Sequence, residues 1–154
     1  MSEAEAPQGP SLNMERVYVR DVSFESPGAP MVFLSQEAPE IKIELNIGHR
    51  KLESDDYYEV VLNVNVDAKA GDQAVFLVEL QQAGLFMIKD VPESEMEKVL
   101  EIACPNILLP FAREAINDYV GKGGFPQLLI NPVNFEALYM QKQAAQQQAA
   151  AAKH

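Results

Sequence analysis

Three consecutive segments of this chain alternate apolar and polar side chains, and this pattern limits the fold more than any other feature of the sequence. The segments are Glu40–Ile47, Tyr58–Ala70 and Gln73–Gln81. Successive side chains of a strand point to opposite faces, so each segment is predicted to be a strand with one apolar face. The turn signal Ala70-Gly-Asp72 predicts that the second and third strands pair as a hairpin.

A fourth strand is predicted ahead of these three, from Met14 to Glu25. Its apolar face is predicted to carry Tyr18, Val22 and Phe24, and its polar face Asp21, Ser23 and Glu25. The inward residues of the last strand are predicted to be Ala74, Phe76, Val78 and Leu80. The segment from Ala83 to Asp90 has no regular pattern, and we expect irregular structure there.

A long helix is predicted after the strands. Pro92 suits its first turn, and Met96, Val99, Leu100 and Ala103 then recur at helical spacing. Because Pro105 and Pro110 each lack a backbone donor, we expect a kink or a break between them.

A last helix is predicted after Gly121 ends the long one, with Asn131 as its N-cap and Pro132 as its first residue. Four strands followed by helices indicate an α+β fold. We therefore predict a four-stranded antiparallel sheet, with a long kinked helix and a C-terminal helix packed on one face.

The length of 154 residues favours one domain. We expect a disordered lead-in over residues 1–12, a folded domain over residues 13–141 and a flexible Ala- and Gln-rich tail over residues 142–154. The net charge of −11 argues against nucleic acid and anionic membranes as partners. A single cysteine, no signal-peptide pattern and no apolar run of about 18 residues indicate a cytoplasmic protein that does not insert into membranes.

Residues suited to catalysis are few. His49 lies in a charged loop, His154 is the final residue, and Cys104 lies on an apolar helix without a base to activate it. No spacing of His, Cys, Asp and Glu resembles a metal site. We therefore expect a protein that is not an enzyme and uses neither a cofactor nor a metal.

Two surface features stand out from this background. Asp21, Glu25, Leu77 and Glu79 all have outward parity, which fits either a solvated acidic face or a docking surface. A second set of apolar residues fits an ordinary core, but its size also suggests a subunit interface or a groove for apolar ligands. These are Met31, Phe33 and Leu34 in the connection before the second strand, and Phe135, Leu138, Tyr139 and Met140 in the last helix.

Separated motifs resemble one known family. Cys104-Pro-Asn-Ile-Leu-Leu-Pro-Phe-Ala-Arg-Glu114, Gly124-Phe-Pro-Gln-Leu128 and Pro132-Val-Asn-Phe-Glu-Ala-Leu138 resemble the SecB export chaperones, as does Arg16–Glu25. The resemblance covers about residues 14–141. It implies a homotetramer, a dimer of dimers with each sheet extended across a dimer. Such a protein binds unfolded precursor proteins without ATP and delivers them to the SecA translocase motor.

The same resemblance assigns residues to both tasks. The SecA-docking positions of the family correspond to Asp21, Glu25, Leu77 and Glu79. The client groove would be lined by Met31, Phe33, Ile43, Leu45, Phe135 and Leu138. The tail differs, because family members often carry a charged C-terminus, whereas residues 144–152 are only Ala and Gln. The competing interpretation is an acidic oligomeric adaptor or structural module without a client groove.

Overall fold

The computed structural model describes residues 9–152 and contains one four-stranded antiparallel sheet within that range. Its strands are β1 (Ser11–Glu25), β2 (Glu40–Lys51), β3 (Tyr57–Ala70) and β4 (Gln73–Lys89). Their order in the sheet is β1-β4-β3-β2, so the chain crosses from one edge to the other between β1 and β2. The predicted four-stranded antiparallel sheet and the β3–β4 hairpin are confirmed.

The first strand begins earlier than predicted and is less regular. Ser11 and Leu12 already pair with β4, so the end of the predicted lead-in belongs to the sheet. Residues 1–8 of that lead-in lie outside the described residues. The register shifts between Met14 and Arg16 and again between Val19 and Asp21. Each irregularity adds a residue to β1 and reverses its alternation.

The second register shift in β1 changes the face on which Tyr18 lies. Tyr18 pairs with Ala83, whereas Val22 pairs with Leu80, and these β4 residues differ in parity. Tyr18 therefore lies on the outer face of the sheet, and its predicted place beside Val22 and Phe24 is wrong.

The fourth strand continues through the segment predicted to be irregular. From Ala83 to Lys89 it pairs with both β1 and β3. Ala83 on one face and Phe86 on the other are both fully buried, so this central segment lacks the alternation that marks a half-exposed strand. Near the hairpin, a register shift leaves Ala74 exposed and Val75 buried, which corrects the predicted inward position of Ala74.

The long helix consists of three consecutive segments. These are the α-helical Glu93–Lys98, the π-helical Val99–Ala103 and the α-helical Cys104–Lys122. Of the kink or break predicted between Pro105 and Pro110, the break is excluded, because helix continues through both. The wide turn ends just before Pro105, where the N–H of Cys104 donates to Val99 O. A wider turn reduces the clash between a proline ring and the preceding carbonyls.

The core lies between the inner face of the sheet and the long helix. The residues that the helix contributes to the hydrophobic core are Leu100, Cys104, Leu108, Leu109, Ala112, Ile116 and Val120. They pack against alternate residues of β3, from Val60 to Ala68, each at most 1% exposed. Burial raises the pKa of the Cys104 thiol to about 12, as expected for a small apolar core residue.

The last helix spans Phe135–Ala152. Its cap is Asn134, whose Oδ1 accepts the N–H of Ala137 at 3.0 Å, so the predicted cap at Asn131 is wrong by three residues. The predicted flexible tail is helical as far as Ala152, in keeping with the high helix propensity of Ala and Gln. Residues 153 and 154 lie outside the described range.

Candidate functional site

Four phenylalanines form a connected chain from the sheet to the surface. Phe24 and Phe76 lie on the inner face of the sheet with ring centroids 6.1 Å apart. Phe76 contacts Phe125 at 4.8 Å, and Phe125 contacts Phe33 at 5.2 Å. Phe33 lies in the short 3-10 turn Met31–Leu34 and is 49% exposed. The chain therefore ends in an aromatic ring that is accessible from solvent.

The segment that carries Phe125 has no regular secondary structure, yet side chains of the long helix hold it in place. Arg113 Nε donates to Ile130 O at 3.0 Å. Asn117 makes two hydrogen bonds with the backbone of Leu128, at 3.1 and 2.7 Å. These bonds satisfy backbone groups that a strand or helix would otherwise pair.

Two glycines allow this segment to approach the aromatic chain. A Cβ on Gly123 would overlap the ring of Phe24, and a Cβ on Gly124 would lie 3.2 Å from the ring of Phe33. Gly124 also has φ of +87°, a conformation that other residues rarely adopt. The Gly-Gly pair therefore does more than end the helix, because it also sets the spacing between the segment and both rings.

An open cavity of about 350 Å³ lies between the crossover connection and this segment. Its apolar lining comes mainly from Val32, Phe33, Ile41, Val75, Phe76, Phe125, Pro126 and Leu128. Large apolar side chains of the same two segments are exposed outside its lining: Met31 at 66%, Leu34 at 77% and Leu129 at 87%. We call the cavity the phenylalanine groove.

The predicted groove residues are only partly brought together. Phe33 lines the phenylalanine groove, whereas Phe135 is 1% exposed and belongs to the core, so its predicted role as a groove wall is wrong. Ile43 and Leu45 are half-buried on the inner face of β2. Met31 and Leu138 are exposed, and their part in a groove remains a prediction.

Sequence reasoning assigned no groove role to the residues that line most of the cavity. Phe125 and Leu128 belong to the Gly124–Leu128 motif and line the cavity. Their spacing is neither helical nor strand-like, so no periodic pattern placed them on a groove wall. An aromatic residue in an apolar segment without periodicity is the signal that identifies such a wall.

The four predicted docking residues lie together on the outer face of the sheet, the face away from the long helix. Glu25 pairs directly with Leu77, and Glu79 pairs with Ser23 in the next row. Asp21 pairs with Gln81 one row further along. The three carboxylates are exposed and Leu77 is half-buried. The register thus creates an acidic surface with an apolar residue in it, which we call the acidic half of the outer face.

A buried carboxylate lies further along the same face, and the sequence did not reveal it. Glu59 is 6% exposed and accepts hydrogen bonds from Tyr18 Oη, Arg20 Nη1 at 3.0 Å and Arg50 Nε at 3.1 Å. Burial alone would raise the pKa of Glu59, but these hydrogen bonds and both arginine charges outweigh it and hold the pKa below 4.5. Burial and the hydrogen bond to Glu59 raise the pKa of Tyr18 to about 12.

Two further findings concern the described part of the chain. No helix there has the length and apolar character that crossing a membrane requires. No group of three or more His, Cys, Asp or Glu residues is placed to hold a metal ion.

The family model for the preprotein translocase subunit SecB matches residues 5–147. This chain belongs to the SecB family. A Thiobacillus denitrificans protein named protein-export protein SecB is 49% identical over 145 residues, covering 94% of this chain and 95% of its own length. The protein of the same name from Chromobacterium violaceum is 46% identical and covers 97% of this chain and 98% of its own length. The resemblance drawn from the motifs, and the predicted class of function, a protein-export chaperone, are confirmed.

A solved structure resembles the fold at low sequence identity. It is a SecB-like chaperone of Mycobacterium tuberculosis in complex with an antitoxin peptide. The two chains superpose with a TM-score of 0.67 at 16% identity, over 79% of this chain and 90% of the other. This SecB-like fold is shared although few residues are.

Proposed function

We propose that this chain works in the cytoplasm as an ATP-independent holder of unfolded precursor proteins, which it delivers to the SecA motor. It performs no catalysis in this role. It binds apolar segments of a precursor in the phenylalanine groove and docks on SecA through the acidic half of the outer face. The working form is a homotetramer, a dimer of dimers.

The observation that carries client binding is the half-exposed ring of Phe33 at the end of the phenylalanine chain. Burying apolar surface contributes roughly 25 cal/mol per Å², whatever the sequence of the ligand. The groove walls come from the crossover turn and from a segment without regular secondary structure, and such walls allow their side chains to repack around different clients. Folded proteins present few exposed apolar segments, so slow-folding precursors are selected.

Assembly is supported by a second open cleft, between β1 and the long helix. This cleft has a volume of about 990 Å³, and its wall includes Val19 and Phe111, which are 45% and 36% exposed. Gln82 on the same wall is 3% exposed, and its Oε1 has no hydrogen-bond partner in the described structure. A second copy would cover the apolar residues and could supply a donor to Gln82.

Client binding is tested by refolding. A precursor of an exported protein, unfolded in urea and then diluted, should refold more slowly with stoichiometric tetramer and without ATP. An unchanged refolding rate would refute the client role and favour an acidic adaptor without a groove. The measurement is the recovery of the precursor's intrinsic fluorescence with time.

Docking is tested by reversing charges on the acidic half. The double variant Asp21→Lys, Glu79→Lys should bind SecA about tenfold or more weakly, because two attractive contacts become repulsive. Precursor binding by the same variant should be unchanged, since the phenylalanine groove lies on the other side of the sheet. Unchanged SecA binding would remove the docking role from this face.

A further inference from the structure

The outer face of the sheet changes the sign of its charge along the strands, and the strand register shows where. Rows of directly paired residues run across the sheet. Three neighbouring rows form the acidic half: Glu25-Leu77-Asp67-Lys42, Ser23-Glu79-Asn65-Glu44 and Asp21-Gln81-Asn63-Asn46. These rows hold five carboxylates and one amine.

Beyond the acidic half lies a row without charged residues, and then a basic end. Tyr18, Ala83, Val61 and Gly48 make up the intermediate row. The next row is Arg16-Leu85-Glu59-Arg50, which Arg20 joins through its ion pair with Glu59. We call this row with Arg20 the basic end, because it holds three guanidinium groups and one buried carboxylate.

The guanidinium groups of the basic end have further N–H donors that a partner can bind. Arg20 and Arg50 have side chains that are 49% and 65% exposed, and each donates one N–H to Glu59. A guanidinium carries five N–H donors in a geometry that suits a carboxylate. Arg16 is exposed and makes no ion pair within the described residues. Glu59, and Glu15 in the cavity that Arg16 and Leu85 line, therefore neutralise only part of the positive charge of the three arginines.

The centres of the two charged regions lie far apart along the strands, although Asp21 and Arg20 at their boundary are adjacent in sequence. Glu79 and Leu85 are six residues apart on β4, which corresponds to about 20 Å along a strand. This exceeds the screening length of about 8 Å at physiological ionic strength. A wholly basic partner would be attracted at one end of the face and repelled at the other.

We propose that the outer face docks a partner protein surface carrying both signs of charge, with basic groups over the acidic half and carboxylates against Arg16, Arg20 and Arg50. The proposal rests on the docking function proposed above and adds an acidic contact on the same partner, SecA. The basic end fixes the direction in which the partner lies along the strands, which attraction to the acidic half alone does not.

Two variants with the same change of charge separate this proposal from general acidic attraction. Arg16→Glu alters the basic end, and Lys42→Glu alters the acidic half of the same face. Arg16→Glu should weaken SecA binding about fivefold, and Lys42→Glu should leave it within about twofold or tighten it. The measurement is titration of labelled SecA, with precursor binding as the check that each variant is folded.

The outcomes are distinct. In one outcome, Arg16→Glu binds SecA as tightly as wild type or more tightly, while Asp21→Lys, Glu79→Lys still weakens binding. This would overturn the proposal that the face recognises both signs of charge, but it would leave the docking function supported. If Asp21→Lys, Glu79→Lys has no effect, both fail. Arg16→Gln, which removes the charge without reversing it, decides the matter if Arg16→Glu does not fold, and it should weaken binding by about half as much on a logarithmic scale.

Discussion

The outer face of the sheet and the phenylalanine groove are built in different ways. Each proposed docking residue of the outer face lies on a strand, and its neighbours are fixed by ladder hydrogen bonds. The exposed residues of the groove come from a 3-10 turn and from a segment without regular structure. Charges are therefore held at fixed spacings on one side, while apolar rings are held by packing on the other.

This difference matches what each surface is proposed to recognise. A partner surface of fixed shape is best matched by charges whose spacing does not change. Unfolded clients differ in sequence, and aromatic side chains on loop segments can repack around each of them. The same core supports both surfaces, since Phe76 lies on the sheet and also contacts Phe125 in the groove.

The largest expected effect tests whether the outer face depends on its buried carboxylate. Glu59→Ala should lower the free energy of unfolding by about 3 kcal/mol, because Tyr18, Arg20 and Arg50 lose a common acceptor. Glu44→Ala is the matched control, since Glu44 is 64% exposed on the same face, and its effect should stay within about 0.5 kcal/mol. Equal losses of unfolding free energy for the two variants, measured by urea unfolding, would mean that the hydrogen bonds to Glu59 do not stabilise the outer face.

The pH dependence of the free energy of unfolding tests the contribution of Glu59 in a second way. The pKa of Glu59 is lowered in the folded state, so its contribution is present above the ordinary value of 4.5 and is lost as the pH falls through the folded value. Wild type should therefore lose more unfolding free energy than Glu59→Ala between neutral pH and the acid range. Parallel curves for the two proteins would contradict the lowered pKa.

A smaller effect is expected where the groove segment approaches the sheet. Gly123→Ala should cost about 2 kcal/mol, because the new Cβ meets the ring of Phe24 while the backbone conformation itself suits alanine. Gly121→Ala, two residues earlier, meets nothing within 4 Å and should stabilise the helix by up to about 1 kcal/mol. Thermal unfolding of both variants compares them, and a neutral Gly123→Ala would show that the contact adjusts freely.

The smallest effect separates the groove from apolar surface in general. Phe33→Ala should weaken binding of an unfolded precursor about tenfold, or about 1.4 kcal/mol, because its half-exposed ring offers apolar area to the client. Met31→Ala, in the same turn but outside the cavity lining, should weaken it less than about threefold. A larger loss for Met31→Ala in fluorescence titration would move the client site out of the phenylalanine groove.

The alternation of apolar and polar residues along the strands was enough to predict much of the sheet from the sequence alone. It placed the apolar side chains of β3 in the core, and it placed Glu25, Leu77 and Glu79 on one outward face. Strand geometry has a period of two residues wherever the ladder is regular, so no knowledge of distant residues was needed. The motifs added the family, and with it the class of function.

Tertiary structure decided the features that depend on residues far apart in the chain. A bulge in β1 moved Tyr18 to the outer face, where it meets Glu59, and packing made Phe135 part of the core. In the groove, Phe33 contacts Phe125, some ninety residues away in the chain. The two segments show neither the helical nor the strand periodicity from which such a contact could be predicted. Contacts of this kind depend on how all the elements of the core pack together, and a local sequence pattern carries no information about them.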